Sequence, residues 1–98
     1  MNLPLGFNDQ AAVELFEAVD YYAMISDELG TAFLDEVTSA CAAIVSRPKA
    51  YPLTGRSVRR MVLRRFPYSL LYSMQAQGIR ILAVAHHKRR PSYWRGRR

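Results

Sequence analysis

No lysine or arginine precedes Arg47 and no aspartate or glutamate follows Glu36, so the net charge of +6 conceals eight acids in one segment and fourteen bases in the other. The missing carboxylates exclude paired-carboxylate hydrolysis in the basic half. They also leave the adjacent His86 and His87 without ligands to complete a metal site, so no metal is expected. Cysteine occurs once, at Cys41, which excludes an internal disulfide; within an apolar helical stripe it reads as a small buried hydrophobe. No apolar run approaches the roughly 20 residues of a membrane span and the first residues carry no basic leader, so no membrane partner and a cytoplasmic protein are expected. The five glycines form neither a phosphate-cradling loop nor a nucleophile elbow, and nothing calls for a cofactor.

What is present suffices for one small domain spanning residues 1–98. Half of the 98 residues are hydrophobic and no repeat or low-complexity tract interrupts them; only the stretch from Trp94 onward reads as a tail. A chain of this size buries about 60–65% of its unfolded surface, enough to fold alone with little to spare. The basic half should attract polyanions or an acidic protein.

The periodicity predicts an α+β fold: an N-terminal antiparallel helical hairpin packed on a twisted, mainly antiparallel sheet of three to four strands. From Asp9 to Leu29, Ala12, Phe16, Val19 and Ala23 recur at helical spacing, with Glu14, Glu17, Asp20 and Asp27 or Glu28 on the opposite, water-facing side. Asn8 or Asp9 can cap this helix and Gly30 can end it in a left-handed conformation. Thr31 then opens a second helix, in which Phe33, Leu34, Val37, Cys41, Ile44 and Val45 form one apolar face and Pro48 is the stop. Beyond a loop with Pro52 and Gly55, Val58 to Phe66 reads as a strand. Phe66-Pro67-Tyr68 is a tight turn, Tyr68 to Met74 the next strand, and Gly78 a turn glycine before Ile79 to His86, a strand apolar at nearly every position. On Tyr68 to Met74 the set Tyr68, Leu70, Tyr72 and Met74 is expected against the helices, and Leu3 to Phe7 can add an edge strand.

Candidate chemistry lies in the basic half. Strand alternation puts Arg60 and Arg64 on one side and Arg59 and Arg65 on the other. The segment from His86 to Trp94 joins imidazoles, Lys88, Arg89 and Arg90 to Tyr93 and Trp94, groups suited to binding phosphates, stacking on bases or transferring protons. Metal-free RNA cleavage needs a base, a cation and an acid, and His86, Arg89 and Tyr93 are residues of those types. The plainer reading is equally open: His86 ends a strand and Tyr93 packs on the core edge.

The string Arg64-Arg65-Phe66-Pro67-Tyr68-Ser69-Leu70-Leu71-Tyr72, then Ile79 to His86 and Arg89, Pro91, Tyr93 and Trp94, resembles the RelE/ParE toxin superfamily over nearly the whole chain. The resemblance implies the toxin of a bacterial type II toxin-antitoxin pair, neutralised by an acidic antitoxin. The ParE-like branch inhibits DNA gyrase without an established catalytic site; the RelE-like branch cleaves messenger RNA on the ribosome. That ribonuclease branch has an arginine immediately after the aromatic residue opening the strand, where this chain has Ser69, so the ParE-like branch is favoured. Arg65, Lys88, Arg89, Arg90 and Trp94 are then candidates for contact with the target or with nucleic acid, and Arg60 and Arg64 for the antitoxin. A non-toxic nucleic-acid-binding module is the further alternative.

Overall fold

The computed structural model describes residues 3–98. Six elements follow in chain order: β1 (Leu5–Phe7), α1 (Asp9–Ile25), α2 (Asp27–Ser46), β2 (Val58–Val62), β3 (Tyr68–Gln75) and β4 (Gly78–His86). The sheet order is β1-β4-β3-β2, with β1 parallel to β4 and the other pairs antiparallel. The expected helical hairpin on a mainly antiparallel sheet is therefore present, β1 completing it as the fourth strand.

The hairpin turns earlier than the glycine suggests. Asn8 caps α1, its Oδ1 accepting from the backbone N–H of Gln10 at 2.8 Å and Ala11 at 3.3 Å. The break falls at one extended residue, Ser26, whose Oγ accepts from Leu29 N–H at 3.0 Å while Asp27 and Glu28 face the positive end of α2. Neither Gly30 nor Thr31 is a cap. Gly30 lies inside α2, where a Cβ would come within 2.8 Å of Ala23 Cβ, so the missing side chain lets the two helices touch.

One core fills the space between helices and sheet, built from Ala11 and Ala18 of α1, Phe33, Val37, Ala40 and Ile44 of α2, and inward residues of β3 and β4. Tyr22, Phe33, Phe66 and Tyr68 interlock there, with ring centroids 4.8–5.3 Å apart along the chain of contacts. Phe16, expected on the buried stripe, is 64% exposed, because α1 turns Leu15, Ala18, Val19 and Tyr22 to the core instead. By length and composition α2 could cross a membrane, but its apolar stripe is spent on this core.

The register shifts between Leu71 and Tyr72, leaving Leu82 unpaired as a bulge on β4. Ile81 and Val84 can then both face the helices, while Ala83 and Ala85 face outward. Tyr68, Leu70 and Tyr72 face the helices as expected; Met74, at the strand end, is exposed.

The outer face of the sheet is also covered. Trp94 is only 9% exposed and packs on Leu71, Ala83 and Ala85, whose small outward alanines leave room for the indole. The chain from Trp94 onward is thus a strap, not a tail. Ser92 takes a left-handed conformation, φ 63°, at the bend that returns the strap across the sheet.

Candidate functional site: a basic cleft on the outer face of the sheet

Three elements converge where β2 and β3 meet the turn after β4. Arg60 of β2 donates from Nε to Ser69 Oγ of β3 at 3.1 Å, and His87 Nε2 lies 2.9 Å from the same oxygen. Ser69 is buried and lies opposite Ala85, which fixes it on the outer face. The turn is anchored by His87 N–H donating to Pro67 O at 2.8 Å. Together with Arg89, Arg90, Tyr93 and Trp94 these groups line a cleft of about 200 Å³ that contains no carboxylate.

Of the residues singled out for proton transfer, His86 faces the helix side, its ring edge-on to Tyr68 at 4.9 Å, with Nδ1 accepting from Lys88 N–H at 3.0 Å. Arg89 lies 3.9 Å over the Tyr93 ring. The Tyr93 hydroxyl donates to Glu14 Oε2 at 2.7 Å, and burial, then this bond, pushes its pKa far above the ordinary tyrosine value. His86 and Arg89 stand at the sheet end between the cleft and a shallow hollow against α1, whereas the phenol points to Glu14.

Of the candidates for target contact, Lys88, Arg89 and Arg90 lie on this turn, Arg90 in the cleft wall, and Trp94 forms its floor. Arg65 lies elsewhere. Arg64 and Arg65 follow the end of β2 at Val62, so strand alternation does not extend to them, and Arg60 and Arg64 do not share a surface. Both backbone N–H groups are held by the Glu36 carboxylate of α2, at 2.5 Å to Arg64 and 3.3 Å to Arg65. Their side chains border a hollow of about 610 Å³ between α2 and β2, lined by Ala40, Ala43, Met61 and Leu63. Arg59 is tied to the loop, donating to Tyr51 O at 2.7 Å.

Sequence reasoning left Glu14 on the water-facing side of α1, and the structure reverses this. β1 ends at Phe7, leaving the backbone of β4 open at Leu82 and Val84. Glu14 Oε1 accepts from Val84 N–H at 3.0 Å, and Arg97 donates to Leu82 O at 3.1 Å and to Glu14 Oε1 at 2.9 Å. The pair, with side chains 12% and 11% exposed, occupies the place of a missing strand. It is the sole side-chain ion pair among the described residues. Among those residues, no three His, Cys, Asp or Glu side chains gather as a metal site.

The fold agrees with that of known proteins. The family model described as ParE toxin of the type II toxin-antitoxin system, parDE, matches residues 5–91. Proteins named Toxin ParE2 from two strains of Mycobacterium tuberculosis are each 35% identical over 83 residues, covering 81% of this chain and 76% of theirs. A solved structure of a chromosomal ParDE toxin-antitoxin system from P. aeruginosa shares the fold, with TM-score 0.74 and 22% identity over 86% of this chain and 95% of that one. The chain belongs to the ParE toxin family of type II toxin-antitoxin systems.

Proposed function

We propose that this protein is a cytoplasmic toxin that arrests growth by inhibiting DNA gyrase without catalysis, and that an acidic antitoxin neutralises it. Family membership supports the toxin role. The observation that carries the non-enzymatic reading is the state of Tyr93: its hydroxyl is committed to Glu14 and its ring lies beneath the guanidinium groups of Arg89, at 3.9 Å, and Arg97, at 5.0 Å. A phenol so held, its proton committed to Glu14 and its pKa raised by burial, is poorly suited to act as the general acid of RNA cleavage, which supports the non-catalytic reading. Ser69, where the ribonuclease branch has arginine, is buried and serves as a hydrogen-bond hub.

For neutralisation, the hollow between α2 and β2 offers an apolar floor with Arg64 and Arg65 at the border on the sheet side and Asp35 and Glu36 at the border on α2. An amphipathic antitoxin segment laid there buries apolar surface while its carboxylates meet these arginines.

Purified toxin should inhibit gyrase supercoiling in a dose-dependent way, and induced cells should filament with DNA damage while their messages stay intact by primer extension. Unaffected supercoiling at concentrations that arrest growth, or message cleavage before DNA damage, overturns the reading.

A further inference from the structure

We propose that the cleft around Ser69 is a binding site for a phosphate group, as the free ion or the terminal phosphate of a nucleotide, in which Ser69 holds Arg60 and His87 side by side as the anion's donors. This goes beyond the toxin reading and holds whichever target the toxin has.

Four observations combine. First, the side chains of Arg60, His87, Arg89 and Arg90 gather at one concave site with no carboxylate in its lining. Clustered like charges in a partly enclosed site repel one another, and a bound anion relieves that repulsion. Second, Arg60 uses Nε to reach Ser69 Oγ, which leaves its two Nη groups to donate elsewhere. Third, a serine oxygen has two acceptor positions, so Oγ can accept from Arg60 Nε and from His87 Nε2–H together. With His87 neutral and Nε2 unprotonated, Ser69 donates to it and the ring carries no charge. With His87 protonated, both cations are fixed on one oxygen. Fourth, about 200 Å³ is below the size usual for drug-sized ligands, roughly 300–1,000 Å³, and accommodates a phosphate group rather than a whole nucleotide.

From β2 comes Arg60, from β3 Ser69, and from the turn Arg89 and Arg90, while Tyr93 donates away to Glu14 and His86 is turned toward Tyr68. Charge-assisted donors in a fork arrangement favour the phosphate oxygens over a single carboxylate.

The test is calorimetric titration of the full-length protein at low salt and one fixed pH with inorganic phosphate, adenosine 5′-monophosphate and acetate. Acetate should bind at least about tenfold more weakly than phosphate, as expected for the weaker pairing. Tighter binding of the nucleotide than of free phosphate identifies a nucleotide terminus as the ligand; equal binding identifies the phosphate group alone. Arg60→Gln and His87→Gln should each weaken binding about tenfold or more. Ser69→Ala, a positioning change, should lower affinity, with Ser69→Thr restoring it. Arg56→Gln, outside the cleft, should leave affinity unchanged. Thermal melts of each variant separate lost binding from lost folding. Acetate binding as tightly as phosphate, which would mark a docking site for an acidic protein, overturns the proposal. So does affinity unchanged in folded His87→Gln and Arg60→Gln.

Discussion

At the scale of single residues, a carboxylate is worth what its oxygens accept. Glu14 takes hydrogen bonds from Val84 N–H, the Tyr93 hydroxyl and Arg97, in a site nearly closed to water. Breaking a buried pair by removing one charge strands the other, at a cost of about 3 kcal/mol or more. Glu14→Gln should therefore lower unfolding free energy in urea by about 3 kcal/mol, and Trp94 fluorescence should shift to the red before the helices melt, because the strap loses its anchor first. A loss below about 0.5 kcal/mol would mean that the pair is as weak as a surface one. Glu14 was invisible as a functional residue in the sequence. It sits among other acids at ordinary helical spacing, and its partners are 70 to 83 positions away.

At the scale of elements, propensity and packing pull the glycine of the hairpin in opposite directions. Gly30 reads as a helix terminator because glycine costs about 1 kcal/mol inside a helix. The observed helix absorbs that cost since Ala23 occupies the space a Cβ would need. Gly30→Ala should gain helix propensity yet destabilise the protein by about 1–2 kcal/mol through overpacking, measured by urea unfolding. A stabilised variant would show that the interhelical contact yields easily. Ser26 carried the correct signal, a hydroxyl directly before Asp27 and Glu28. The bulge at Leu82 is a similar case: a run of apolar residues announces a buried strand, but it cannot reveal where the pleat skips and so which of His86 and His87 faces the helices.

For the whole molecule, the segregation of charge leaves one ion pair among the described residues and a surface acidic at the hairpin and basic at the sheet end. Stability then rests on apolar burial, and burial has a titration signature. Burial pushes the Cys41 thiol up from 9.0 to about 11, and Tyr22, Tyr68, Tyr72 and Tyr93 are raised mainly by the same cause. These groups hold their protons more tightly folded than unfolded, so their contribution is intact below pH 9 and is lost as pH rises toward 11 and beyond. Unfolding free energy should be insensitive to these groups from pH 7 to 9 and should decline above pH 9. Cys41 should resist alkylation at pH 8 until the protein is unfolded in urea. Rapid labelling of the native protein at that pH would contradict the packing of the thiol against the core.

The sequence by itself determined the elements and their layers, because helical and strand periodicities are local: the amphipathic hairpin, the meander around Phe66-Pro67-Tyr68 and the buried β4 all follow from neighbours in the chain. It also determined the polarity of charge and carried the family likeness. Only the tertiary structure decided which polar side chains work together. Glu14 meets Arg97 and Tyr93, and Arg60 and His87 meet on Ser69 across three elements. Their geometry depends on register, on one bulge and on a strap that folds back, and these are set by packing between parts of the chain that no local pattern connects.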